Sequence, residues 1–125
     1  MTLQVELVSP ERILYSGEAE MVVCRTVGGG EVAFLTGHAP FLAALETGVV
    51  RVRTGSGEEV AAVHGGFVEV RDNRVIILSD VAELAADIDT SRAQRAKDAA
   101  SGDDDEAVEA RKRADARLNA ANRAS

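Results

Sequence analysis

The sequence predicts an all-β sandwich or flattened barrel over residues 1–84, followed by a C-terminal α-helical hairpin over residues 85–125. Up to about residue 80, apolar side chains recur at every second position, as in strands that bury one face. Glycine-rich and Asp-Asn turns separate these runs. Beyond Leu84, alanine and charged residues replace β-branched ones, a composition typical of helices.

The alternation and the turns divide the first half into eight predicted strands. Leu3, Val5 and Leu7 show the period at the start of the chain. The predicted strands occupy residues 3–8, 12–16, 19–27, 31–35, 49–54, 58–63, 67–71 and 74–80. Residues 75–78, Val-Ile-Ile-Leu, are apolar on both faces, so we expect them to lie deepest.

Residues 28–48 form a glycine-rich segment between strands, and Gly37-His-Ala-Pro40 within it predicts a turn. Glycines at such positions could be taken for a phosphate-binding loop. However, no strand-loop-helix unit follows, because the later residues return to alternation. The segment is therefore interpreted as a shaped loop between strands and not as a dinucleotide site.

The second half predicts two helices. Asp89 is suited to cap the first, over residues 90–100, and Ser101-Gly102 ends it. Acidic residues 103–106 then suit the positive end of a second helix, which continues to about Asn122. The predicted contact faces contain almost only alanine: Ala107, Ala110, Ala114, Leu118 and Ala121 on the second helix, Ala93, Ala96 and Ala100 on the first. Such faces bury little apolar area, so the hairpin is either a passive appendage or a mobile, detachable element.

Composition narrows the class of protein. The 125 residues carry a formal net charge of −7, and the first 84 hold twelve acidic and six basic side chains, which argues against nucleic-acid binding. No apolar run suggests membrane insertion, and the amino terminus lacks a secretory pattern, so we expect a cytoplasmic location. Cys24, the only cysteine, is predicted to be buried. No metal site is expected, because neither of the two histidines is near the cysteine and no ligand-like spacing appears.

Several motifs together resemble one family. Gly30-Glu31, Leu35 and Gly37-His-Ala-Pro40 fit its signature, and Gly65-Gly-Phe-Val-Glu-Val70 fits one of its strands. Ala33 and Thr36 depart from the glycine and proline that are usual there. With the thin hairpin that follows, the chain resembles the epsilon subunit of bacterial F-type ATP synthases over nearly its whole length.

The resemblance implies a non-catalytic central-stalk subunit, peripheral on the cytoplasmic face of the plasma membrane. Its sandwich would be fixed to the gamma subunit and to the membrane rotor ring, with Glu31 and His38 as candidate docking residues. Its hairpin would regulate the alpha/beta catalytic head and inhibit ATP hydrolysis. The candidate inhibitory contacts are the basic residues of the second helix: Arg111, Lys112, Arg113 and Arg117, with Arg123 beyond them.

A second resemblance concerns residues 88–93, Ile-Asp-Thr-Ser-Arg-Ala, because some members of the family bind ATP through Ile/Leu-Asp-x-x-Arg-Ala. It implies a regulatory ATP site at Asp89 and Arg92, with Glu83 as a further candidate, and no required cofactor. Asp89 could equally be only a helix cap, and Arg92 only solvated or paired. A further phosphate-binding arginine stays open between Arg117 and Arg123.

Two other function classes are weighed against this one. A free-standing nucleotide-sensing β-domain is supported only by residues 88–93. An enzyme would need His38 or His64 as general base with Glu31 or Glu69 as its partner. Nothing in the spacing positions such a pair, and no serine or cysteine lies in a nucleophile turn.

Overall fold

The computed structural model describes residues 2–124 and contains, in that range, ten strands in two five-stranded sheets, one 3-10 turn and two helices. The strands are β1 (Leu3–Val8), β2 (Ile13–Ala19), β3 (Met21–Thr26), β4 (Gly30–Leu35), β5 (Phe41–Ala44), β6 (Gly48–Thr54), β7 (Gly57–Val63), β8 (Phe67–Arg71), β9 (Arg74–Leu78) and β10 (Ala82–Leu84). The 3-10 turn is Ala85–Asp87, and the helices are α1 (Thr90–Ala99) and α2 (Asp105–Ala124).

The two sheets form the predicted sandwich. The first has the strand order β2-β1-β9-β8-β5 and the second β10-β7-β6-β3-β4. Neighbouring strands are antiparallel except β1 and β9, which run parallel. The core between the sheets is built from alternate residues: Leu3, Val5 and Leu7 of β1 are buried there with Phe34 of β4. Cys24 is also fully buried, as predicted.

The expectation that residues 75–78 lie deepest is only half correct. Val75 and Ile77 are fully buried, but Leu78 exposes 53% of its surface and Ile76 is half-buried. The reason is the pleat, which sends alternate side chains of β9 to the outer face of the first sheet. Ile76 and Leu78 therefore belong to an apolar outer surface of the sheet and not to a deeper layer of the core.

The sequence did not predict β5 and β10. β5 follows Pro40 directly and puts Leu42, 69% exposed, on its outer face, so its four residues show no apolar-polar alternation. β10 has only three residues and lies at a sheet edge. The segment of residues 28–48 thus contains β5 in addition to the predicted strand β4, with a turn between them. β2 also extends to Ala19, beyond the predicted end at residue 16, because Gly17 still pairs with Val5.

The helix ends follow the predicted capping chemistry. The Asp89 side chain accepts a hydrogen bond of 3.0 Å from the backbone N–H of Arg92, so this aspartate does cap α1. Asp104 caps α2 in the same way, through a 3.1 Å bond from Ala107 N–H. Gly102 has φ of 104° in the connection between the helices, a conformation that suits glycine.

Helix α2 buries two faces and not the single predicted stripe. Ala114 is fully buried as expected, whereas the other predicted stripe positions are only half-buried. Ala116 and Ala120, which the stripe missed, pack against Val60 and Ala62 of β7. On α1, Ala93 is buried but Ala96 is exposed. The second face exists because the hairpin lies on the second sheet, so α2 has both α1 and β7 as neighbours.

Candidate functional site

A cleft of about 340 Å³ lies where the end of the sandwich meets the hairpin. It is lined by side chains from β10, the 3-10 turn, α1 and α2: Glu83, Asp87, Asp89, Arg92, Ala93, Ala96 and Arg117. The structure therefore brings together the three residues predicted for a nucleotide site and adds Arg117 to them. Arg123 instead donates to Glu58 at 3.0 Å, away from the cleft.

The local sequence explains how α1 contributes to the cleft. Asp89 begins the helix, and Arg92, Ala93 and Ala96 follow at steps of three or four residues, which share one helix face. These two alanines and Arg92 all line the cleft. The 3-10 turn joins β10 to this helix, and Glu83 of β10 faces Arg117 of α2.

Glu83 is the polar centre of the cleft. One carboxylate oxygen, Oε1, accepts hydrogen bonds from Arg117 Nε at 2.6 Å and from His64 Nε2 at 3.1 Å. Burial by itself raises the pKa of Glu83, but the hydrogen bonds from Arg117 and His64 outweigh it and hold the pKa below its usual 4.5. Glu83 is thus a carboxylate at neutral pH, shared by the sandwich and the hairpin.

The sequence offers His64 as a candidate general base, whereas in the structure it is a buried partner of Glu83. Its side chain exposes only 4% of its surface. Burial lowers the pKa of His64 below 6.5, although the hydrogen bond with Glu83 works in the opposite direction. His64 continues the period-two pattern of Val60 and Ala62, which is the signal that placed it on the face covered by α2.

Some charged side chains of the cleft form ion pairs with other residues, and others do not. Asp87 pairs with Arg12 at 3.1 Å, and Arg117 is bound to Glu83. By contrast, within residues 2–124 no carboxylate lies within ion-pair distance of the Arg92 guanidinium. Arg92 is therefore the cation of this cleft that is available to bind an anionic oxygen.

The two predicted docking residues lie at opposite ends of β4. Glu31 is near the start of the strand and is 3.5 Å from Arg51, whereas His38 lies in the turn beyond its end. About 13 Å of strand separates Glu31 from Leu35, where that turn begins. The His38 ring packs edge-on against Phe34, with centroids 4.9 Å apart, so the turn is ordered by core contacts. The pair thus flanks an edge strand and does not share one loop.

The predicted inhibitory residues do not form one free basic surface. Arg111 donates to the carbonyls of Ala100 and Gly102, both at 2.8 Å, and closes the end of α1. Lys112 pairs with Glu109 of its own helix at 3.3 Å. Arg117 is held by Glu83, and Arg113 is half-buried. While the hairpin is docked, most of these basic side chains are bound to groups of this same chain.

The pairs that an enzyme would need are not formed. His64 is bonded to Glu83 and not to Glu69, and His38 contacts aromatic rings and not Glu31. Across residues 2–124, no group of histidine, cysteine and acidic side chains could hold a metal ion. The helices of the same range are too short or too polar to cross a membrane.

Comparison with known proteins decides the family. A family model described as the beta-sandwich domain of the ATP synthase delta/epsilon chain matches residues 2–85, about two thirds of the chain. The chain belongs to the ATP synthase delta/epsilon chain family. The resemblance seen in the motifs of β4 and β8 is thereby confirmed.

Relatives in this family extend over the hairpin as well. The ATP synthase epsilon chain of Streptomyces avermitilis is 47% identical over 119 residues, which cover 94% of each chain. That of Brevibacillus brevis is 46% identical over 99 residues, 78% of this chain and 74% of the relative.

Solved structures share the fold at lower identity. A chain in the mitochondrial ATP synthase of Euglena gracilis, solved as OSCP/F1/c-ring, aligns with a TM-score of 0.73 and 21% identity over 97% of this chain and 78% of its own. A chain in the central stalk/c-ring of the Tetrahymena thermophila mitochondrial enzyme aligns with a TM-score of 0.64 and 18% identity, covering 99% and 96%. The family fold thus includes both the sandwich and the helices.

Proposed function

We propose that this chain is the epsilon subunit in the central stalk of an F-type ATP synthase, which it serves without catalysing a reaction itself. The observation that carries the proposal is the match to bacterial epsilon chains across 94% of both sequences, sandwich and hairpin together. It sits peripherally on the cytoplasmic face of the plasma membrane, as part of the complex.

The outer face of the first sheet is the proposed docking surface for the gamma subunit. Strand pairing aligns one apolar row across this face, and the row consists of Ala44, Phe67, Leu78, Val8 and Ile13. Phe67, Leu78 and Ile13 expose 57%, 53% and 61% of their surfaces. A contiguous exposed apolar surface on a charged protein is typical of a binding interface.

The edge strand β4 is the proposed contact with the membrane rotor ring. β4 pairs only with β3 in its sheet, and Leu35 on it is 55% exposed. Glu31 and His38 flank this edge, so a partner that runs along β4 reaches both residues.

The hairpin of residues 85–125 is the proposed regulator of ATP hydrolysis. Its contacts with the sandwich are alanine side chains, the half-buried Ile88 and a few ion pairs, a thin interface that favours release. Once released, Arg111, Lys112, Arg113 and Arg117 become available to the alpha/beta head. The cleft binds ATP as a regulatory ligand and so favours the docked form, because its lining comes from both the sandwich and the hairpin.

Arg92 is the phosphate ligand in this proposal, and Arg117 joins it only when Glu83 shares that guanidinium with the nucleotide. Asp89 is suited to accept a hydrogen bond from the adenine amino group. These roles require no further cofactor.

Reconstitution of the stalk tests the function directly. The full chain should co-purify with gamma, and its complex with the catalytic head should hydrolyse ATP more slowly than a complex made with residues 1–85. Assembly should be the same for both, because the apolar row lies wholly in the sandwich. Equal hydrolysis rates would refute the inhibitory role, and failure to bind gamma while ATP still binds would favour a free-standing nucleotide-sensing protein.

A further inference from the structure

His64 is a buried titratable group that the proposed function does not use. It directly follows β7 and continues the steps of two set by Val60 and Ala62, so its side chain lies on the face where α2 packs. Only 4% of that side chain is exposed.

Helix α2 runs along β7 in the opposite direction and packs on the face that carries this histidine. At one end Arg123 donates to Glu58 at 3.0 Å, and in the middle the α2 alanines pack on β7. At the other end Arg117 reaches Glu83, which also accepts from His64. The burial of His64 therefore depends on the docked position of the hairpin.

The hydrogen bonds define the proton on the ring. Glu83 is a carboxylate and can only accept, so His64 Nε2 carries the hydrogen and donates across 3.1 Å. The other nitrogen, Nδ1, is buried, and no atom of residues 2–124 bonds to it. Protonation would place an N–H donor there without an acceptor, together with a buried charge.

The charges that face His64 come from two elements. Arg113 and Arg117 of α2 disfavour a positive ring, whereas Glu83 of β10 favours it. The neutral His64 and Arg117 both donate to Oε1 of Glu83, so the histidine and the helix share one acceptor in the docked form. Burial and the two arginines prevail, and the pKa of His64 in the docked form lies below 6.5.

We propose that His64 makes docking of the hairpin depend on pH: the neutral ring holds α2 on the sandwich, and protonation releases it. This inference concerns the hairpin itself and does not rest on the proposed role in the synthase or on ATP.

The sign follows from proton linkage. Undocking brings His64 into water, where its pKa returns toward 6.5, so the undocked form binds more protons than the docked form. Docking is strongest above pH 6.5 and weakens as the pH falls through that value toward the lower pKa of the docked form. The pKa of Glu83 is held below 4.5, so its carboxylate does not titrate in this window.

Spin labels on the full chain test the proposal. Cysteines introduced at the exposed positions Ser56 and Ala124 take the labels, because Cys24 is fully buried and burial raises the pKa of its thiol to about 12. Between about pH 7.5 and about pH 5.5, without nucleotide, the docking constant read from the label distances should fall by up to about tenfold. His38→Gln should leave this response intact, whereas His64→Gln should abolish it, since its amide can still donate to Glu83 but does not titrate.

NMR titration of the His64 ring in the unsubstituted chain provides a readout that needs no variant at this position. An apparent pKa below 6.5 supports the proposal. A ring that titrates at or above that value, a docking constant that does not change with pH, or a response that persists in His64→Gln would each overturn it.

Discussion

Asp89 is a helix cap in the structure and a proposed ligand of ATP. Its Oδ1 accepts the capping hydrogen bond from Arg92 N–H at 3.0 Å. A carboxylate has a second oxygen and further lone pairs, so capping does not exhaust it. The same short segment therefore starts α1 and sets the Arg92 guanidinium, which has no carboxylate partner within residues 2–124, beside the cleft. Capping and nucleotide binding are compatible roles for this motif.

Replacement of the Arg92 guanidinium tests the proposed ATP site at this scale. Arg92→Ala should weaken ATP binding by about tenfold or more, because a hydrogen bond to a charged group contributes roughly 1.5–3 kcal/mol. Calorimetric titration measures the effect. Arg95→Ala is the matched control, since Arg95 lies on the same helix but does not line the cleft. Equal weakening in both variants, or no binding by the unsubstituted chain at millimolar ATP, would refute the site.

Helix α2 depends on polar contacts because its apolar faces are thin. Each buried alanine removes little more than a methyl group from water, about 1 kcal/mol or less. Arg123, whose side chain is 45% exposed in its pair with Glu58, adds little, since exposed ion pairs are weak. Arg117 and Arg111, both engaged with partly buried acceptors, therefore matter more to the hairpin than its surface pairs do.

Arg111→Ala should destabilise the hairpin by about 1 kcal/mol or more, because it removes the donors to the carbonyls of Ala100 and Gly102. Urea titration followed by far-UV circular dichroism measures the loss of helix. Lys112→Ala should change the same transition by only a few tenths of a kcal/mol, since the Lys112–Glu109 pair is exposed. A larger effect of Lys112→Ala than of Arg111→Ala would contradict this account of the helix connection.

The sandwich buries much larger apolar side chains than the two helices do. Within residues 2–124, the large fully buried side chains all belong to the sandwich, with Phe34, Leu3 and Ile77 among them. The fully or nearly fully buried residues of the two helices are alanines only. Buried apolar area favours cooperative unfolding of the sandwich as one unit, whereas the hairpin can open separately at a smaller free energy.

Native-state hydrogen exchange should separate these two units. Amides of α1 and α2 should exchange through an opening of lower free energy than amides of the central strands β1 and β9. A common opening free energy for helices and central strands would show that the hairpin does not open independently of the sandwich.

The sequence by itself determined the elements whose signals are local. The period of two gave most strands, and Asp72-Asn73 gave the tight turn in which both residues have positive φ, 52° and 61°. The cap at Asp89 and the alanine-rich helices followed in the same way. β5 was missed because its four residues carry no alternation, and β10 because three residues are too few to show a period.

Only the tertiary structure decided which of these residues meet. The sheet order put the strand that Glu31 and His38 flank at an edge of the second sheet. Pairing of β10 with β7 brought Glu83 to His64, 19 positions away, whereas the docking of α2 brought Arg117, 34 positions away, to the same carboxylate. Arg123 met Glu58 instead. Such contacts depend on how faces pack across the chain, and neither period nor capping chemistry encodes that arrangement.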